Sequence, residues 1–470
     1  MSTQILEVCQ VAPGDKSPES AAEFSLPLTF FDTLWFQVPP VERIFFYQIT
    51  ELNPAYFTSI VVPKLKQSLS QTLLHFLPLA GRLTWPTDSP KPIIIYTPND
   101  TVSLSVAESN ADFDFLSSNG VKEAAELRPF IPQLPSSDTV SSPIALQVTA
   151  FPDKGFCIAV NSHHAILDGR STTLFIKAWA YICKQLLKEQ NPPILPPELA
   201  PFLDRTVIKD VARLQTVFLN QWAEVNRSML GNESNPRCLK LRQNIFAPQN
   251  VVRSTFQLNR DDIKRLREKV LSQLEAINKE ETDVVKSTPP IHLSSFVLTC
   301  AYTSICMLKA RQEDGNTRIY FGFTADVRKR LDPPVPNNYF GNCVTGKFFA
   351  AEATIFMEEN YGLAKTVLRI SNAIKELERG PLDGMEKMLP LFFTIKPGNC
   401  ITVAGSTQFQ VYSCDFGWGR PKKVDITSID KTGAIALSEA SDGLGGVEIG
   451  LALKRHETEA FTSLFVKGLA

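Results

Sequence analysis

Val160-Asn161-Ser162-His163-His164-Ala165-Ile166-Leu167-Asp168-Gly169 follows the apolar run Phe156-Cys157-Ile158-Ala159-Val160 and precedes a segment in which Phe175, Trp179, Ile182 and Leu186 recur at helical spacing. An apolar, β-branched run, a break and an amphipathic helix read as a buried strand that leaves its sheet, turns sharply at Gly169 and returns as a covering helix. Two imidazoles therefore lie at a strand end, where α/β folds place chemistry because the strand is rigid and its end opens on a crevice. If the strand's alternation continues through the pair, only one imidazole faces a given crevice. A histidine beside an apolar strand is as readily a hydrogen-bonded core residue as a base, so the turn alone does not settle the chemistry.

A chain of 470 residues is too long for one compact core and fits two domains. Hydrophobic residues at 44% and charged residues at 21% are those of a soluble globular protein, which argues against a membrane protein. Lys and Arg number 48 against 49 Asp and Glu, a balance that gives no reason to expect nucleic acid as partner. Nine cysteines without a C-x-x-C pair predict reduced thiols in a cytoplasmic setting, with Cys157, Cys300 and Cys306 as small core residues. The first 26 residues show no apolar run of a secretory signal. The span Leu293 to Leu308 is interrupted by Ser294, Ser295, Thr299, Thr303 and Ser304, so it reads as a buried helix and not as a membrane span.

Outward from the histidine turn, Ile44 to Tyr47, Ile93 to Tyr96, Ile144 to Val148 and Ile319 to Phe323 read as strands. Helices are expected from about Thr58 to Phe76, from Asp261 to Leu274 and from Ser295 to Lys309, with an exposed loop over Glu275 to Lys286. Leu26 to Trp35 reads as a strand or loop that packs aromatic rings. Asn191 to Pro201 holds five prolines in eleven residues, which resists helix and central strand alike. The expected organisation is a domain over 1–190 carrying the histidine turn, a crossover at 191–215 and a domain over 216–470. The fold class is α/β, with mixed sheets covered by helices.

A second stretch, Asp415-Phe416-Gly417-Trp418-Gly419-Arg420-Pro421, stands some 250 residues after the first. Together the two resemble the H-H-x-x-x-D-G and D-F-G-W-G signatures of the plant BAHD acyltransferases, in that family's order and separation, and the likeness extends over nearly the full chain. Tyr339-Phe340-Gly341-Asn342-Cys343 resembles the Y-F-G-N-C element of the branch that acylates anthocyanins, flavonoid glucosides and other phenolic glucosides. The surroundings Asp168 to Thr173 look most like its malonyltransferases. The resemblance implies a chloramphenicol-acetyltransferase-like fold of two domains with the site in a channel between them. It also implies a soluble monomer that transfers an acyl group from an acyl-CoA, malonyl-CoA first, to a sugar hydroxyl of a flavonoid or other phenolic glucoside.

The expected chemistry needs a base for the hydroxyl, and histidine titrates near neutral pH, so His164 is expected to be that base. The tetrahedral oxyanion needs a fixed donor. By resemblance this is the indole of Trp418, whose plain alternative is one more packed aromatic. Asp168 could orient the imidazole as in a triad; in the resembling family it turns away and pairs with an arginine, which points to Arg328. Asp415 is expected to be structural with a minor acid–base role. Ser294 and Ser295, at a helix start, match family positions that bind coenzyme A. Lys423 is a weaker candidate for the donor phosphates. Arg170 is either a salt bridge or a two-point partner for the malonyl carboxylate. Asp32 and Trp35 are expected to border the channel. No permanently bound cofactor and no metal are expected.

Other classes fit less well, since there is no G-x-S-x-G elbow and no Walker loop. Two alternatives remain: a member using an aromatic or acetyl donor on another alcohol or amine, and a non-catalytic relative that only binds a metabolite. Ser304 departs from the family, which often has Trp in that helix, so the resemblance does not carry over to the local packing and the part of the donor pocket there.

Overall fold

The computed structural model describes residues 3–14, 22–50, 52–189, 193–230, 235–242, 250–280, 293–396 and 398–469. Three sheets form the frame. The six-stranded one runs, from edge to edge, through Thr3–Val11, Val102–Ser109, Ile144–Phe151, Gly155–Ser162, Val41–Gln48 and Lys423–Ile426. The seven-stranded one runs through Val344–Glu352, Arg318–Asp326, Cys400–Gly405, Ile435–Glu439, Val447–Lys454, Val251–Leu258 and Lys122–Glu123. A small four-stranded sheet joins Phe24–Pro27, Ile93–Tyr96, Arg82–Thr84 and Val140–Ser141.

The histidine strand, Gly155–Ser162, is buried along its whole length because it sits inside its sheet with both faces covered. Phe156, Ile158 and Val160 enter the core beneath the helices, whereas Cys157 and Ala159 join Ile44, Phe46 and Phe151 on the other face. That two-residue alternation is why the strand reads as an unbroken apolar run. The helix Gly169–Leu187 then lays Phe175, Trp179, Ile182 and Leu186 on the sheet. Its indole Trp179 donates from Nε1 to Ser68 Oγ at 3.0 Å on the helix Val62–His75, so the two covering helices are tied together.

Several expectations change. Leu26 to Trp35 is neither strand nor loop throughout: a strand ends at Pro27 and one helical turn, Phe30–Thr33, follows. The Asp32 carboxylate accepts from the Thr29 N–H and hydroxyl at 2.8 Å each, which caps that turn. The helix expected to end near Leu274 runs from Arg260 to Glu280, absorbing half of the expected loop; 281–292 lie outside the described residues, as do Asn191 and Pro192. Gly169 starts its helix for a different reason than the turn. A Cβ there would meet the ring of Phe409 at 2.7 Å, so the glycine provides room.

The expected division at 191–215 is crossed both ways. Lys423–Ile426 pairs with Val41–Gln48 in the six-stranded sheet, and Lys122 and Glu123 pair with Arg253 and Val252 in the seven-stranded one. Leu214, Phe218 and Trp222 also pack into the first core, so packing shows no break at 216. Among the described residues no helix is long and apolar enough to cross a membrane.

Candidate active site

The strand ends at Ser162, and the backbone turns at once, with Ile166 N–H donating to His163 C=O at 2.9 Å. His163 points into the protein. It is fully buried, and its Nδ1 accepts from Ala165 N–H at 3.2 Å. Burial first, then the neighbouring His164, holds its pKa down to about 3, so the ring is neutral. His164 points the other way, into the wall of a cavity of about 1160 Å³. Trp35 stacks on its ring at 4.3 Å between centroids, the planes inclined by 12°. Burial lowers the His164 pKa below its usual value, an effect opposed first by the residue's own backbone carbonyl and then by Asp168 and Asn342.

Asp168 does not orient that imidazole, because both its oxygens are engaged elsewhere. Oδ1 accepts from Ser171 N–H at 2.7 Å, the N-cap bond that starts the long helix. Oδ2 accepts from Arg328 Nη2 at 2.7 Å and from Cys343 N–H at 3.2 Å. Asp168 and Arg328 are each 1% exposed, and Arg328 also donates to the carbonyls of Gly341 and Tyr339, at 3.0 and 3.2 Å. The pair thus ties the histidine turn to a segment some 160 residues later.

Trp35, Asp168, Arg170, Ser294 and Ser295 line the cavity together with His164. Ser294 caps its helix, its Oγ accepting from Val297 N–H at 3.3 Å, so this helix start stands in the cavity wall. Arg170 is held by Asp326 at 3.2 Å and by the Asn337 carbonyl at 3.0 Å, yet its side chain remains 39% exposed at the cavity.

Four expected residues lie elsewhere. Asp32 is fully buried and bound to Arg205 at 3.0 Å, so it does not border the channel. Lys423 is not a loop cation. It stands on a strand, 2% exposed, with its ammonium on Glu448 at 3.0 Å and Asn119 at 2.8 Å, so no phosphate can reach it without breaking that pair. Trp418 packs edge-on against Phe156 at 5.7 Å and donates to the Tyr56 hydroxyl at 3.1 Å. Phe156 lies eight residues before His164, roughly 25 Å along a strand. An indole there cannot donate to an oxyanion beside His164. Asp415 sits at the same far end, bound to Lys184 at 2.5 Å and to the amides of Gly417 and Gly419 at 2.8 and 3.0 Å. Against the upward push of burial, these partners hold its carboxyl below the usual range.

Sequence reasoning gave no role to Asn342, whose side chain donates to the His164 carbonyl at 2.8 Å, or to Arg43, which lines the cavity and donates to Thr173 Oγ1 at 2.9 Å. The first stood in a quoted motif; the second was one polar residue before an apolar run and carried no signal. Among the described residues no group of three or more His, Cys, Asp or Glu side chains is placed to hold a metal ion. The cavity wall therefore offers a neutral imidazole, a half-exposed guanidinium and a capped helix start, a set suited to accepting a proton from a bound molecule beside an anionic one.

A profile of the Transferase family matches residues 3–467. The chain is 43% identical over 472 residues to phenolic glucoside malonyltransferase 1 of Arabidopsis thaliana, with 100% of this chain and 98% of that one covered. It is 41% identical over 479 residues to malonyl-CoA:anthocyanidin 5-O-glucoside-6''-O-malonyltransferase of the same plant, again covering 100% and 98%. In fold it is similar to the crystal structure of vinorine synthase, with a TM-score of 0.67 over 98% of each chain at 21% identity.

Proposed function

The chain belongs to the Transferase family of BAHD acyltransferases, and from that premise we propose that it moves a malonyl group from malonyl-CoA to a sugar hydroxyl of a phenolic or flavonoid glucoside. The observation that carries the mechanism is His164, a neutral imidazole in the wall of a large cavity. The acceptor hydroxyl gives its proton to the free ring nitrogen as its oxygen bonds to the thioester carbonyl carbon. The tetrahedral adduct then expels coenzyme A by breaking the C–S bond, and the imidazolium returns the proton to the thiolate. Atoms balance without an acyl-enzyme, and a thiol with a pKa of roughly 8.5 leaves readily.

Residues of the cavity wall suit the charges of the donor. Ser294 and Ser295 at the helix start suit the anionic donor, and Arg170 beside the histidine turn suits the malonyl carboxylate, which needs a cation on leaving water. Asp326 already shares that guanidinium, so the carboxylate would compete with it. Arg170→Leu separates the readings: if Arg170 reads the carboxylate, kcat/KM falls far more for malonyl-CoA than for acetyl-CoA, whereas an equal fall leaves it a salt bridge.

We take the enzyme to act as a monomer in the cytoplasm, which size-exclusion chromatography and a fluorescent fusion test. The activity is tested by incubating the purified protein with a panel of acyl-CoAs and phenolic glucosides and reading product masses. A malonylated glucoside is expected. No product from any acyl-CoA, with a glucoside still bound, would make the protein a binding relative.

A further inference from the structure

The transfer chemistry uses none of the residues Tyr339-Phe340-Gly341-Asn342-Cys343, yet this segment grips the histidine turn. Gly341 accepts from Arg328 and from Ser171, and the Cys343 amide donates to Asp168. Asn342 alone reaches the base. Its Nδ2 donates to the His164 carbonyl at 2.8 Å and to Asp32 Oδ1 at 3.0 Å, and its backbone N–H donates to the same Oδ1 at 2.9 Å. Two acceptors on one NH₂ fix which way the amide points. Asp32 cannot swing aside, because its other oxygen is taken by Arg205 at 3.0 Å and by Thr29.

Among the described residues, Asn342 Oδ1 and His164 Nδ1 are both buried without a hydrogen bond, as are Trp35 Nε1 and His163 Nε2 beside them. A buried N–H and a buried carbonyl oxygen are each costly to leave unpaired. A histidine base that presents Nε2 also needs its proton on Nδ1, with something to accept it. The carboxylate four residues on is committed to Arg328 and Ser171.

We infer that Asn342, anchored by Asp32, is the positioning residue of His164: its amide nitrogen pins the carbonyl of the base, and its amide oxygen holds the proton on Nδ1 so that Nε2 faces the acceptor hydroxyl. A neutral amide in this role leaves the resting imidazole unprotonated, where a carboxylate would favour the imidazolium. The other ionisable groups around the ring are His163, Asp168 with its partner Arg328, Asp32 with its partner Arg205, and Arg43 and Arg170 in the cavity wall. The inference rests on His164 being the base.

Two variants and one measurement on the unaltered protein test it. Asn342→Leu keeps the volume and removes both functions; kcat is expected to fall about 10- to 100-fold with both KM values changed by less than about 3-fold. Asn342→Asp sets an anion beside the ring and should move the acid limb of kcat/KM to higher pH. Nitrogen-15 NMR of histidine-labelled wild-type protein, with the His164 signal assigned by its loss in His164→Gln, should show Nδ1 protonated, and this requires no Asn342 variant to fold. An Nε2-protonated ring, or an acid limb left in place by Asn342→Asp, overturns the inference. Full turnover in His164→Ala would instead remove the base assignment and the inference with it. An inactive His164→Ala beside a wild-type-like Asn342→Leu removes the inference alone.

Discussion

At the scale of single residues, the two adjacent histidines differ in everything but type. His163 is sealed into the turn and neutral, whereas His164 stands in the cavity wall under Trp35. Replacing His164 by Ala should lower kcat by about two to four powers of ten, the span of general-base catalysis, with the thermal transition little moved. His163→Ala should instead lower the melting temperature, and equal kinetic losses in two folded variants would undo the assignment. The pH dependence has a definite sign. A base acts only when unprotonated, and burial lowers the His164 pKa from 6.5, so the acid limb of kcat/KM should have its midpoint below pH 6.5. A midpoint above that value, measured with malonyl-CoA, would count against a buried neutral imidazole. The adjacent pair and its exit from a strand were legible in the chain. That Asp168 spends both oxygens away from the ring was not, since its partner Arg328 comes from the turn that follows a strand of the other sheet.

Among the elements, the helix Gly169–Leu187 is held at both ends, and the holds differ in chemistry. At its start, Asp168 caps it and pairs with Arg328, both side chains almost fully buried. Breaking a buried pair strands one charge, at a cost of about 3–5 kcal/mol. Asp168→Asn and Arg328→Met should each lose stability and activity together, and the double variant should lose much less than the sum in urea unfolding. Simple additivity would exclude the coupling. At its far end, Lys184 meets Asp415, and Gly417 sits so near Leu187 that a Cβ would come within 2.4 Å of it. The Asp415 to Gly419 segment therefore clamps the helix and the outer end of the histidine strand. Trp418→Phe tests this directly: packing is largely kept, so kcat should stay within about 3-fold of wild type, whereas loss of an oxyanion donor costs on the order of 10²–10³.

For the whole molecule, the exchange of strands between the two sheets makes the halves interdependent. A fragment spanning 1–190 lacks the edge strand Lys423–Ile426 and the helix face of Leu214, Phe218 and Trp222 that closes its core. Expressed alone it should not give a cooperative thermal transition by circular dichroism, and a sharp one would show that the halves are separable. Strand, turn and covering helix around His164 followed from the sequence alone, because an apolar run, a break and helical spacing are set by neighbours a few residues apart. The family also followed from it, through two motifs whose spacing is a property of the chain. What only the tertiary structure decided is which motif residues meet. Trp418 and Asp415 lie one strand length from His164, Asp32 is sunk beside Arg205, Lys423 is locked to Glu448, and Asn342 is brought against His164. Each of these partners lies at least twenty-five residues away in sequence. Local propensity carries no term for contacts at that range; burial and charge pairing in the closed core select them.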